Sequence, residues 1–485
     1  MAERARRPAG VAAARFRGRA GRSRDSVRGL LSRDPARGLL EFRVMPIAAL
    51  AAAAFLLVAP QRTPVPTPKP APPAATLRER ARRERVDRYL LPAMRRANVD
   101  AWLVVTREGS MDPIAYDVGA EHAVGRVACL FVDRGETLER VAIVAGFDTD
   151  AFEKSGLYNR VVPYGKDGLG PPLLEELGKY SPKSIALNQS KDMPLADGLT
   201  AGNLQWLRET APDYAKRFVS AEALLVSFRS RKTPSEIAKM REAVGKTEKI
   251  LAEALTPAVI IPGKTTEKDV ADFIRKRRRE MKLGASWSED QDPNVTAGVA
   301  RGHSASTENV ITPGAVIRID AGMDDEGYKT DVQRLAYVLK SGETEAPLEV
   351  QKAFDTVLAA NRAASAALKP GVKGLDVDRA GRKVIADAGY PDYVFATGHP
   401  IGFYTHDLGP LLAPDWPDYG KTGSYTIEAD QTFAVEPGLR TELPWIFGGP
   451  VGFGLEEDYL VTATGSEPLG KPQEKLILIP SPAAP

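Results

Sequence analysis

Cysteine occurs once in this 485-residue chain and histidine four times. A single cysteine permits no internal disulfide, and it neither supports nor excludes an oxidising compartment. Cys129 lies in the apolar run RVACLFVD and reads as a buried strand residue. Apolar neighbours and the absence of a nearby histidine in sequence argue against a cysteine nucleophile. The chain also lacks a GxxxxGK[ST] phosphate loop, a Gly-x-Ser-x-Gly elbow and an HExxH helix. The stretch Gly452–Gly454 does not open a helix, so a dinucleotide loop has little support.

Net charge is small in the body of the chain. The formal net charge is +3, but residues 1–44 alone hold twelve arginines, no lysine and four acids. The rest of the chain is mildly acidic, and no nucleic-acid partner is expected. Residues 1–44 read as a disordered or untranslated leader. Residues 45–76 read as a signal peptide or anchor followed by a Pro-rich tether, Pro60 to Pro73. The apolar run Pro46–Ala59 has 14 residues, short for a bilayer span and the right size for a signal core. Export to the periplasm or medium is expected, with a membrane tether through 46–59 if the segment is retained. If it is not a signal, the product is cytoplasmic.

Apolar periodicity supplies the rest of the layout. A charged amphipathic helix is expected from Leu77 to Val99, then strands at Ala101–Thr106, Arg126–Asp133, Arg140–Ala145 and Ser184–Leu187, with a helix over Leu195–Thr210. This alternation predicts an α/β amino-terminal domain over 77–232. It has no chemical motif of its own, and His122 reads as structural or as an edge of a substrate site. Thr233, Pro234 and Glu236 form a capping box with proline at the first helical position. A second, α+β domain is therefore expected over 233–478, with helices at Glu236–Leu255, Thr266–Met281, Pro347–Leu368 and Val377–Ala388. Residues 479–485 read as a disordered tail.

The second domain carries the chemistry. Val316–Arg334 reads as a hairpin whose turn is Asp324, Asp325 and Gly327, and whose return strand runs from Tyr328 to Leu339. It brings Asp320 and Asp331 to one spot. Two carboxylates held together repel unless a cation neutralises them. Three of the four histidines, His303, His399 and His406, fall in the same domain. The spacing of seven puts His399 and His406 on opposite faces of a strand unless a bend intervenes. Glu436 ends an apolar strand at Pro-Gly, and Glu456 and Glu457 open another. An oxygen-dominated set with one imidazole suits Mn²⁺, Co²⁺, Fe²⁺ or Zn²⁺. Four carboxylates exceed the need of one ion and suit two cations about 3.5–4 Å apart that activate water.

The ordered series Asp320, Asp331 eleven residues on, Gly398-His399, Glu436-Pro437-Gly438 and a Glu before an apolar strand ending in Val461-Thr462 resembles the pita-bread metallopeptidases. That group contains aminopeptidase P, prolidase and creatinase, and the resemblance runs from about Thr233 to Leu469. It implies a pita-bread catalytic domain behind a creatinase/prolidase-like amino-terminal domain. It further implies an Xaa-Pro metallo-exopeptidase with two divalent ions, manganese first. Asp320, Asp331, His399, Glu436 and Glu456 would be the ligands, and His303 and His406, with Glu436, the catalytic residues. Counting six residues back from Thr462, as in the family, selects Glu456 over Glu457, whose side chain would point to the other face as a surface or supporting residue. Asp458 would share the face of Glu456. A short peptide substrate and a homodimer are expected. The alternatives are a metal-dependent small-molecule amide or amidino hydrolase on the same fold, and a non-catalytic peptide-binding module. Three departures bear on proline specificity: Phe395 and Gly454 stand where the family usually has His and Arg, and Pro400 follows the ligand His.

Overall fold

The computed structural model describes residues 76–302 and 304–481. The leader, the apolar run Pro46–Ala59, the tether to Pro73, the last four residues and His303 lie outside the described residues. Among the described residues, no helix is long and apolar enough to cross a membrane.

Thr76 caps the first helix through a capping box with Glu79. The helix expected over 77–99 stops at Arg96 and is not uniform. Leu77–Arg85 and Leu91–Arg96 are α-helical, with a π-helical turn at Val86–Leu90 between them. Pro92 accounts for the turn, because it lacks an N–H and its ring crowds the carbonyl four residues back, so the ladder widens.

Six strands follow, β1 (Ala101–Thr106), β2 (Val127–Asp133), β3 (Leu138–Ala145), β4 (Arg160–Tyr164), β5 (Ile185–Leu187) and β6 (Phe218–Ser220). They form one mixed sheet in the order β4-β3-β2-β1-β5-β6. Apolar side chains cover both faces, so the strands read as continuous apolar runs rather than alternating ones. Trp102 stacks on Phe131 at 5.2 Å, and its indole N–H donates to Asn188 at 2.8 Å. Cys129 is buried in β2, and burial pushes its thiol up to about 12. The helix expected over Leu195–Thr210 is split. A short 3-10 turn covers Pro194–Ala196, and the helix proper, Ala201–Thr210, starts where Thr200 accepts from the Asn203 N–H.

Thr233 then opens the helix Pro234–Ala254 with the capping box to Glu236. Helices Glu267–Glu280, Leu348–Ala367 and Gly374–Asp387 come next among short strands. These are β7 (Gly284–Ala285), β8 (Asn294–Ala297), β9 (Val316–Ala321), β10 (Met323–Asp325), β11 (Tyr328–Lys329) and β12 (Val332–Val338). The series continues with β13 (Gly398–Pro400), β14 (Thr432–Val435), β15 (Gly438–Thr441), β16 (Val451–Gly454), β17 (Glu457–Val461), β18 (Ser466–Pro468) and β19 (Ile477–Ile479). Two four-stranded sheets, β19-β12-β9-β8 and β13-β14-β17-β18, carry the site. A bridge between Gln333 and Glu456 joins them. Ile479, one residue past the boundary read from sequence, is buried in β19 opposite Val338.

The hairpin is more elaborate than its pattern suggests. The return run breaks after Lys329, and β12 resumes at Val332. The tip, β10 and β11, leaves the parent sheet to pair with β7. Gly322 permits that departure. A Cβ there would overlap the Thr330 carbonyl oxygen and the Ser286 side chain, so only glycine lets the two arms cross this closely.

Candidate metal centre

Strand register brings the acids together. Asp320 lies opposite Gln333 in the β9–β12 ladder. Asp331 precedes β12 by one residue, which makes it a same-face diagonal neighbour of Asp320. Across the seam, His399 pairs with Ala434 and Ala434 with Asp458, so β13, β14 and β17 bring their residues up to the hairpin side by side.

Three of the acids converge on the Nε2 of His399. It lies 3.6 Å from Glu436, 3.7 Å from Asp331 and 3.8 Å from Glu456. Its Nδ1 lies 3.2 Å from the Pro400 carbonyl oxygen. An Nδ1–H donated there leaves Nε2 unprotonated and aimed at the acids. The ligand atoms of Asp331, His399 and Glu456 all lie within 4.8 Å of one another. Gln333 donates to one oxygen of Glu456 at 2.9 Å. The other oxygen of Glu456, and Oδ1 of Asp331, are buried and accept no hydrogen bond. Buried carboxylate oxygens left over in this way are what a cation would satisfy.

The electrostatics agree. Burial pushes the carboxyls of Asp331 and Glu456 well above their usual range, and their mutual repulsion, with that of Asp320 and Glu436, adds to it. Glu436 rises to about 8, mostly from burial and then from Asp320, with Arg318 pulling the other way. Such a site favours protons or metal over bare charge, so the donor set fits divalent cations.

His406 follows β13 in a tight loop. The chain bends instead of continuing as a strand, and the rings of His399 and His406 end 4.2 Å apart. The bend overrides the alternation expected from their spacing. Glu457 also differs from a surface residue: it is 3% exposed, accepts from Arg334 at 2.9 Å and from the Gln473 N–H at 2.7 Å. Asp458 is buried as well and accepts from the Asp331 N–H at 3.1 Å, which holds the start of β12 in place. The supporting roles of Gln333 and Asp458 are not visible in the sequence, because neither a lone Gln nor a third consecutive acid signals one. His122 is exposed in the loop before β2. The space beside Gly454 is filled from other strands, by Gln333 and by Arg318 of β9.

Residues 238–463 match the model of metallopeptidase family M24. The catalytic domain belongs to that family. The chain is thus a metal-dependent peptidase, and its layout is an α/β amino-terminal domain followed by an α+β pita-bread M24 domain. An Xaa-Pro dipeptidase of Lactobacillus delbrueckii subsp. lactis is 27% identical over 291 residues, 59% of this chain and 71% of that protein. An Xaa-Pro dipeptidase of Pyrococcus horikoshii is 26% identical over 308 residues, 63% of this chain and 80% of that protein. Among solved structures, an Xaa-Pro dipeptidase from Bacillus anthracis superimposes with a TM-score of 0.59 at 23% identity, covering 82% of this chain and 99% of that one. A prolidase from Pyrococcus horikoshii gives 0.57 at 22%, covering 81% and 100%. Both structures match the amino-terminal and M24 domains together.

Proposed function

We propose that this M24 enzyme is an exopeptidase that cleaves the amino-terminal bond of short peptides with proline in second place. The observation that carries the reading is the convergence of three acids on one buried imidazole nitrogen, beside two buried carboxylate oxygens that accept no hydrogen bond. The Xaa-Pro dipeptidases among its relatives support the substrate class. Asp320, Asp331, His399, Glu436 and Glu456 would hold the divalent ions. The oxygen-rich donors favour Mn²⁺, with Zn²⁺, Co²⁺ and Fe²⁺ as alternatives. When bound, the ions would polarise the scissile carbonyl and acidify the attacking water.

The chain's own residues do the remainder. Glu436 takes the proton of the water and returns it to the leaving nitrogen. His406, exposed beside His399, donates to the carbonyl oxygen as negative charge develops there. His303 is assigned the same task on the grounds of resemblance. Hydrolysis of an Xaa-Pro dipeptide and an Xaa-Pro tripeptide, measured side by side with metal content, tests the reading. Failure to cleave either in metal-replete protein would overturn it.

Proline selectivity is expected to be relaxed. Phe395 packs beside Tyr393, ring centroids 4.9 Å apart, and against Gly438 next to the Glu436 turn. It offers substrate an apolar wall and no hydrogen bond. Rates on Xaa-Pro and Xaa-Ala peptides should be comparable, and Phe395→His should widen their ratio by about 10-fold or more. A strict Xaa-Pro requirement in the unaltered protein would refute this.

Export and a homodimeric state belong to the same reading. The basis for export is the length and apolarity of Pro46–Ala59. Deleting residues 1–44 should leave location unchanged, and deleting Pro46–Ala59 as well should retain the protein in the cytoplasm. Cell fractionation that finds the full-length product in the cytoplasm would count against it. The homodimer rests on family resemblance and is checked by light scattering.

A further inference from the structure

His406 is exposed, with its ring 4.2 Å from that of His399. Its two chain neighbours are buried and anchored. Thr405 donates to the Ser286 carbonyl at 2.7 Å, and the Thr405 and Ser286 hydroxyls lie 2.9 Å apart. Asp407 holds the other side. Its N–H donates to the Pro400 carbonyl at 2.9 Å, and its carboxylate accepts from the N–H groups of Phe403 at 3.2 Å and Leu408 at 2.9 Å. One aspartate thus draws the loop after His399 into a closed turn with His406 at its rim.

That aspartate is held from outside the loop. Arg229 reaches its Oδ2 at 3.1 Å and the Lys232 ammonium stands 3.5 Å away, all three side chains being essentially buried. Arg229 ends the last helix of the amino-terminal domain, Glu222–Arg229, and Lys232 lies between it and the helix at Pro234. Arg229 also binds Asp117 at 2.8 Å, and Arg85 joins Asp117 to Glu236. Charges therefore alternate without a break, Glu236, Arg85, Asp117, Arg229, Asp407 and Lys232, from the start of the catalytic domain through the amino-terminal domain to the His406 loop. Burial alone would push the Asp407 carboxyl up, yet Arg229 and Lys232 keep it below its ordinary value. Gly402 completes the fit, since a Cβ there would overlap the Asp407 carboxylate and lie 2.6 Å from the Lys232 side chain. No amino-terminal residue need touch substrate for that domain to affect the reaction.

We propose that Asp407 is a positioning residue for His406, and that Arg229 and Lys232 act on peptide hydrolysis through it. The proposal rests on the role given to His406 above. Misplacing a reacting group by about 1 Å costs on the order of 10²-fold in rate. Asp407→Asn keeps the shape of the side chain and removes the charge that both cations clamp. In metal-loaded protein it should lower kcat by about 10²-fold, with little change in KM and metal content retained. Lys232→Met should act in the same direction and less strongly. Arg229→Lys should recover part of the activity that Arg229→Met loses.

Histidine-ring NMR supplies the readout that a merely structural role would not move. With four histidines in the chain, the His406 signal is assignable through His406→Gln. It should shift in Asp407→Asn while that of His122 stays in place. An unmoved His406 signal with kcat within about threefold of the parent would overturn the proposal. So would loss of fold and metal in Asp407→Asn combined with unchanged kcat and signal in a folded Lys232→Met. A parent enzyme inactive on peptides would overturn the functional reading instead, and the His406 signal would still report on the clamp.

Discussion

Exhaustive chelation is expected to abolish peptide hydrolysis, with recovery on adding Mn²⁺, Co²⁺ or Zn²⁺. The same treatment should change how stability depends on pH. In the metal-free site, Glu436 binds its proton up to about pH 8, against an ordinary value of 4.5. Burial and repulsion shift Asp331 and Glu456 in the same direction. Between those limits the folded state holds protons that the unfolded chain has released. The stability they contribute is complete below about pH 4.5 and is lost as pH rises towards 8, at about 1.4 kcal/mol per pH unit for each such proton. Metal-free protein should therefore melt at progressively lower temperature from pH 5 to pH 8. Metal-loaded protein should not, because the ions compete with the protons and bind better as pH rises. Thermal unfolding of both forms over that interval, with metal content verified, makes the comparison. Undiminished turnover in protein shown to be metal-free would remove the basis of the proposed mechanism.

Much of the candidate site is legible in the sequence because its signals are local. Asp320 and Asp331 sit on one hairpin whose alternation can be read directly, and Glu436 and Glu456 each mark an end of a short apolar strand. The capping box at Thr233 was equally local. What could not be read depends on distant partners. The tip of the hairpin leaves its sheet because β7, some forty residues earlier, offers it an edge. His399 and His406 share one site because Asp407 closes the loop between them, and Asp407 answers to Arg229, 178 residues away in the chain. Buried ion pairs of this kind leave no periodic trace. Strand β4 and the helix Gly170–Tyr180 are not among the elements read from sequence for a different reason: the Gly and Pro residues from Gly165 to Pro172 obscure any period, while packing of Leu173 and Leu177 beneath the sheet decides the structure.

Glu456 and Glu457 separate the two faces of one strand entrance, and replacing each with Gln should give opposite phenotypes. Glu456 faces His399, held by Gln333 on one oxygen with the other aimed at the ligand cluster. Glu456→Gln keeps the size and one acceptor but removes a charge that would hold the proposed ions. At least one ion should be lost, and kcat should fall by about 10²-fold or more, the scale of losing one strong electrostatic contact. Stability of the metal-free form should rise, since a neutral amide relieves repulsion among the remaining acids. Glu457 faces the other way, against Arg334 and the Gln473 N–H. Burial holds its carboxyl at about 7 even with Arg334 beside it. Glu457→Gln should keep its metal and most of the turnover while costing about 1–3 kcal/mol of stability, because the buried Arg334 loses its nearest countercharge. Metal stoichiometry and denaturant unfolding of the two variants, run in parallel, decide the matter. Metal loss in Glu457→Gln with full occupancy in Glu456→Gln would shift the ligand assignment by one residue and turn β17 over.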